Sequence, residues 1–499
     1  MKNISIITFL ILFFSFDLIA KSDYIVGDTF EPWEGGNAYF AKWTKGPSAN
    51  PNYFLIGTWY QEPNNAIAYK NLGFNYNVFC WSGNDLSPMV SAKVGMVPPT
   101  TEMLSNLGNP NTEPAITSWI YYIDEPDNVQ SSGNTVDPST VISAYNNTVI
   151  KDQNRPVYLS LGAGVAQKDW WGRGAATGDT ASYRQYAKGA DILQFDIYPM
   201  NTYKDATLAS FKQPYLNAVG QNPGIIGAGV DNLRRYSDYK KPVIACLEST
   251  NYEGDSRYTT TPTAYIRPEA WIAIIHGARG LLYFCHLITP NFVETGLLND
   301  AAMSAEVKKN NELILAHSPI LNTQTVSNAV TMKTSNKGLS SYLKSMVKRY
   351  QGFTYIYSVI ENGNSTTGTF TLRGFTGTST IEVVGENRTI TATNGVFTDT
   401  FSNWDVHIYK VATQGDISGI SNVTDENTVK IRTLNSTIEI ESIDFLKSYD
   451  IFNINGQRLF TQNVDGYKSV FSKDIFADKV LIVKLNFPKK TIVRKIINI

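Results

Sequence analysis

The stretch Ile116 to Asn128, ITSWIYYIDEPDN, decides how the rest of the chain is read. Its Ile, Trp and Tyr side chains suit both faces of a strand covered by helices, and Pro126 has no N–H with which to continue a ladder. Asp124 and Glu125 therefore stand where a buried strand opens into a loop. In α/β sheets and barrels the C-terminal ends of strands carry the chemistry, which makes these carboxylates catalytic candidates. The other reading is an acidic turn flanked by proline.

Outward from this stretch, residues 51 to 320 repeat one unit, a short apolar or aromatic run followed by an amphipathic segment. That alternation predicts parallel strands at Tyr53–Tyr60, Asn75–Trp81, Met96–Pro99, Ile116–Ile123, Pro156–Gly162, Ala190–Pro199, Pro242–Ser249 and Gly280–His286. Helices are expected between them, among others at Thr140–Lys151, Ile225–Tyr236, Pro268–Gly277 and Ala301–His317. Eight strands over about 250 residues close a (β/α)8 barrel. A doubly wound open sheet is the alternative, but no GxGxxG follows the first strand.

Aromatic and polar residues gather at the predicted strand ends: Trp59, Trp81, the pair Trp170-Trp171, Asp196 with Tyr198, and Tyr283 with His286. In a barrel all these ends open on one face. The adjacent indoles of Trp170 and Trp171 read either as a stacking platform or as core. A second carboxylate comes from KPVIACLEST, residues 241 to 250. Alternation places Cys246 and Glu248 on one face, and the barrel widens to solvent where Glu248 ends the apolar run. The structural alternative pairs Glu248 with Arg267 or Arg279.

Composition bounds the partners. A net charge of −1 argues against nucleic acid, and 12% aromatic residues point to surfaces for flat or apolar ligands. Lys2, the apolar run Ile4 to Phe16 and the small Ala20 have the layout of a signal peptide over residues 1–20, too short for a membrane span. The three cysteines lie in apolar runs and read as buried small hydrophobes; with no CxxC or HExxH, neither a metal site nor a cofactor is expected.

IDEPDN after the fourth strand and CLEST after the seventh resemble the two catalytic stations of the clan A retaining glycoside hydrolases. The resemblance implies Glu125 as general acid/base and Glu248 as nucleophile, with a polysaccharide or oligosaccharide as substrate. FDIYP, residues 195 to 199, is similar to the sixth-strand pattern of that clan and implies that Tyr198 contacts the nucleophile, while GARGLLYFCH (277 to 286) resembles its last helix and strand. Asp124 stands where the clan has Asn and would raise the pKa of Glu125 by like-charge repulsion. Under this resemblance Asp124, Asp196, Tyr198, Trp59, Trp81, Trp170, Trp171, Tyr283 and His286 are the expected substrate contacts. The rival reading is a glycan-binding barrel without catalysis, and the next a hydrolase using Asp196 with Glu248.

Beyond about residue 325 alternating polar and β-branched runs, at Phe353–Val359, Gly368–Leu372, Ser379–Val384 and Asp405–Val411, predict an antiparallel sandwich. The expected organisation is a signal peptide at 1–20, a barrel at 21–322, a sandwich at 323–413 and a second one at 414–499. In the last, YDIFNINGQRLF (449 to 460) and KVLIVKLNFPKKTIVRKI (479 to 496) resemble the C-terminal sorting domain of type IX secretion in Bacteroidetes. That resemblance implies the type IX machinery as a partner and a secreted or outer-membrane-surface location.

Overall fold

The computed structural model describes residues 24–25, 27–32, 39–81, 83–202, 207–250, 262–288, 291–339, 341–361, 365–414, 429–433, 437–453, 457–472, 476, 480–488 and 491–497. The expected signal peptide lies outside the described residues. Two compact units divide the chain: one spans Gly27–Gln414, and the other contains the residues from Gly415 onward.

All eight expected strand stretches overlap a strand of one parallel sheet: β1 (Leu55–Trp59), β2 (Tyr76–Val78), β3 (Gly95–Val97), β4 (Trp119–Ile120), β5 (Val157–Leu161), β6 (Ile192–Asp196), β7 (Val243–Glu248) and β8 (Gly280–Phe284). Their order is β3-β2-β1-β8-β7-β6-β5-β4, and parallel bridges Met96–Ile116 and Pro99–Ile120 join β3 to the β4 segment, which closes the barrel. The β4 strand is far shorter than the 116–123 expected. Pro98, Pro99 and Pro156 flank it with carbonyls but no N–H, so Ile120 N donates to Pro98 and Trp119 N to Pro156 without a continuous ladder on either side. Leu55, Tyr76, Val78, Ile120, Tyr158, Ile244 and Leu282 fill the interior. Gly57 is needed there because a Cβ would lie 2.4 Å from the Tyr76 ring.

Ten α-helices among the described residues surround or follow the strands: α1 (Ala66–Asn71), α2 (Ser87–Ala92), α3 (Met103–Asn106), α4 (Pro138–Lys151), α5 (Ser182–Tyr186), α6 (Gln213–Val219), α7 (Gly224–Tyr236), α8 (Pro262–Ile275), α9 (Gly296–Asn299) and α10 (Ala301–Leu321). Asp137 caps α4 through Ser139 N, and Asp300 caps α10 through Met303 N. No helix among the described residues is long and apolar enough to cross a membrane.

The sandwich that follows is an antiparallel sheet of eight strands, β9 (Val330–Thr334), β10 (Leu343–Tyr350), β11 (Phe353–Ile360), β12 (Thr366–Leu372), β13 (Thr378–Val383), β14 (Arg388–Thr393), β15 (Val396–Phe401) and β16 (Val406–Ala412). Its alternating inward residues form the core, where Phe370 stacks on Phe397 at 4.8 Å. It docks on the barrel through Trp271 of α8, stacked on Tyr357 at 5.3 Å, and through His317 Nδ1, 2.9 Å from the Tyr357 hydroxyl. The C-terminal unit is a five-stranded antiparallel sheet of β17 (Val429–Thr433), β18 (Thr437–Phe452), β19 (Arg458–Ser472), β20 (Val480–Asn486) and β21 (Thr491–Ile497), with Ile440, Tyr449, Ile451 and Leu485 in its core.

Candidate active site

Residues at the C-terminal ends of the strands bound a cavity of about 330 Å³, lined by Trp59 of β1, Asp124 and Glu125 after β4, Ser160 of β5, Gln194 and Asp196 of β6, Tyr198, Cys246 of β7 and Phe284 of β8. A second chamber of about 540 Å³ opens beside it over the ends of β1 to β3. Trp59 and Asp124 line both, so the two adjoin.

Glu125 sits at φ +44°, a left-handed conformation that is strained for a residue with a Cβ. The surroundings fix it: its carbonyl accepts from Asn128 N at 2.9 Å and from the Gln130 side-chain amide at 3.1 Å. The side chain is set by Asn128 Nδ2, which donates to Oε2 at 2.8 Å, while the Asn128 oxygen accepts from the Trp170 indole at 2.8 Å. Gly162, just past β5, leaves the room required, since a Cβ there would lie 2.8 Å from Glu125 Oε1. Asp127 anchors the same loop from below by accepting from Gly162 N and Tyr183 Oη, both at 2.9 Å.

Glu125 and Asp196 line the same cavity, and each bears on the protonation of the other. Burial, and next the charge of Asp196, hold the Glu125 carboxyl well above the ordinary range. Burial also raises Asp196, but only to about 6, because the Glu125 acid and the Tyr198 hydroxyl donate to it. At neutral pH Glu125 is therefore the acid and Asp196 the anion. Asp124 is raised to about 7, first by enclosure among protein atoms and then by Glu125; water still reaches it through the mouth, which screens the effect. Its Oδ1 accepts from Ser160 at 2.9 Å.

Glu248 ends β7 two residues beyond Cys246, yet it is not among the residues lining either chamber and is only 5% exposed. Its carboxylate accepts from Met200 N at 2.6 Å, Asn201 N at 2.8 Å and Asn201 Nδ2 at 2.5 Å, all in the loop after β6. Behind it stands Glu269 of α8, wholly buried, whose carboxyl oxygens meet no donor. Burial, followed by the charge and hydrogen bond of Glu248, keeps Glu269 protonated well above the ordinary range, while Glu248 itself is pushed up to about 7, first by burial. Glu269 is then the acid of a second buried carboxyl pair.

The other expected contacts divide. Trp59, Asp124, Asp196 and Tyr198 line the first cavity, and the Tyr198 hydroxyl lies 3.6 Å from Cys246 Sγ. Trp81 is 40% exposed and packs edge-on against Tyr60 at 4.3 Å on the rim of the second chamber. Trp170 and Trp171 are half-buried, pack on each other and on Tyr215 at 4.6 to 5.1 Å, and line neither chamber. Burial lowers the His286 pKa, and its Nε2 contacts the Tyr60 carbonyl at 2.9 Å, tying the end of β8 to β1. Tyr283 requires a correction: fully buried, it shares the outward face of β8 with Leu281 and bonds Asn311 of α10, so it cannot meet a ligand in the mouth.

Sequence reasoning did not single out Asn128, Ser160, Gln194, Tyr122 or Glu269. Asn128 and Tyr122 lie within the decisive stretch itself; Ser160, Gln194 and Glu269 became neighbours of the site through barrel closure.

No family model and no curated protein matches this chain. Among solved structures it is similar to a GH30 endoxylanase from Clostridium papyrosolvens C71, at 12% identity over 78% of this chain and 98% of that one, with a TM-score of 0.41. It is also similar to a GH42 beta-galactosidase from G. stearothermophilus (8% identity, 72% and 98% covered, TM-score 0.43) and to a family 51 alpha-L-arabinofuranosidase from Bifidobacterium longum (11% identity, 78% and 97% covered, TM-score 0.40).

Proposed function

We propose that the barrel is a glycoside hydrolase that cleaves a β-linked polysaccharide or oligosaccharide with retention of configuration. The observation that carries this reading is that Glu125 and Asp196 line one cavity of sugar size at the barrel mouth, where burial and the charge of Asp196 raise the Glu125 carboxyl well above the ordinary range, so that it keeps a proton. Glu125 donates that proton to the leaving oxygen, which takes the place of Asp196 as its acceptor. Glu248 attacks the anomeric carbon, and water then releases the sugar with Glu125 acting as base. Three donors hold the Glu248 anion for this role. Retention requires the two carboxyls to stand about 5–5.5 Å apart across the bound ring.

One observation favours a second reading. The adjacent Asp124 and Glu125 both line the cavity, whereas Glu248 does not. A sugar bearing a 2-acetamido group would supply its own nucleophile there, as substrate-assisted glycosidases do, with Asp124 accepting the amide N–H and Glu125 remaining the acid.

A screen of plant, algal, fungal and amino-sugar glycans, read by released reducing ends, tests the activity; no turnover on any of them, or full activity of Glu125→Ala, would refute it. Azide separates the readings. Under the first, Glu248→Ala with azide yields a glycosyl azide of inverted configuration. Under the second, Glu248→Ala keeps activity toward 2-acetamido sugars.

Export completes the proposal: a Sec signal peptide directs the chain out of the cytoplasm, and the C-terminal five-stranded sheet is a type IX sorting domain that delivers it to the medium or the outer-membrane surface. Deleting the residues from Gly415 onward should leave an active barrel retained inside the outer membrane. Release of the truncated protein into the medium of its host would sink this assignment.

A further inference from the structure

Among the described residues, the two chambers of the cleft are lined by aromatic rings, neutral hydroxyl and amide groups and carboxyl groups, and by no lysine or arginine. Asp124 stands at their junction, with Asp196 in the first chamber, so a sugar ring in either one lies beside a carboxylate. These groups call for donors. A hydroxyl, an amide N–H or an ammonium group supplies them, whereas a carboxylate or sulfate has only acceptors to offer and adds negative charge beside Asp196. The rings of Trp59, Tyr60, Phe79 and Tyr122 offer faces and edges to sugar C–H groups, which ask for no charge.

We infer that the cleft selects glycans built of uncharged or amino-bearing sugars and excludes uronic acids and sulfated sugars from both chambers. This deepens the hydrolase reading and rests on it for the choice of a sugar as ligand.

The test is binding to the full chain carrying Glu125→Gln, which prevents turnover, followed by intrinsic fluorescence and calorimetry. Neutral and N-acetylated oligosaccharides are compared with uronate-containing and sulfated ones of matched length. At least one neutral ligand should bind, and its anionic counterparts should bind more weakly by roughly tenfold or more, as expected for one added charge at close range. That gap should narrow as salt is raised, and also when Asp124→Asn is added. An anionic oligosaccharide that binds as tightly as its neutral counterpart overturns the inference. Hydrolysis of an anionic glycan by the unmodified protein overturns it too, while leaving the hydrolase reading intact. Binding of neutral glycans without any turnover does the reverse, and failure of every glycan to bind removes both.

Discussion

The side-chain amide of Asn128 donates to Oε2 of Glu125 at 2.8 Å, and the oxygen of that same amide accepts the Trp170 indole N–H. The aromatic loop after β5 therefore orients the acid in the loop after β4. Because the Asn128 amide favours ionised Glu125, Asn128→Leu should raise the pKa of the acid further and move the basic limb of the kcat/KM profile to higher pH. Trp170→Phe keeps a ring but releases Asn128, and should lower kcat roughly fivefold, the worth of about one hydrogen bond. A raised KM with an unmoved pH profile would instead make Trp170 a sugar platform.

Asp196 acts on the same proton in the opposite sense. After burial, its negative charge is the largest cause of the raised Glu125 pKa, so Asp196→Asn should lower that pKa and move the basic limb to lower pH. Activity at neutral pH should fall with it, because less of the acid is protonated. Kinetic pH profiles of the two variants should thus shift in opposite directions, and parallel shifts would contradict the shared-proton arrangement.

The pair Glu248 and Glu269 makes a claim on stability. Burial first, then Glu248, raises the folded-state pKa of Glu269 above its unfolded value. Its contribution is therefore complete below the ordinary carboxylate range and is lost as pH rises through the folded value. Glu269→Gln keeps a donor toward Glu248 without a proton to lose. The variant should match the parent near pH 4 and be more stable near pH 8 by roughly 1–3 kcal/mol, the range seen when buried ionisable groups are replaced. Thermal unfolding across that pH range measures the difference; equal offsets at both ends would exclude a shared proton.

His276 joins barrel to sandwich by the same logic with a cation. Its Nδ1 lies 2.8 Å from Asp231 of α7 and its Nε2 lies 2.7 Å from Glu361 just after β11. Burial alone would lower its pKa, but the bonds and charges of the two carboxylates outweigh that and raise it to about 9. The stability it contributes is complete below the unfolded value near 6.5 and is lost as pH rises through about 9. His276→Gln should therefore lower Tm at pH 6 and have little effect at pH 10. An equal loss at both pH values would mean that packing, not charge, is what His276 supplies.

By itself, the sequence determined the eight parallel strands and their order along the chain, because burial on both faces writes continuous apolar runs, and the Pro and Gly at their ends are local signals. It also placed Asp124, Glu125 and Asp196 at strand ends, since a carboxylate closing such a run has only the mouth in which to stay solvated. It misread Tyr283, because alternation gives a two-residue period but not which phase faces the barrel axis; β8 sets that phase through its pairing with β1 and β7. Partners could not be read at all. Asp196 meets Glu125 from a strand two places away in the sheet, and Glu269 meets Glu248 from the following helix, at sequence separations that carry no pattern. Only closure of the barrel brings these loops to one ring, and only the low dielectric of their shared enclosure turns neighbouring carboxylates into acid and anion.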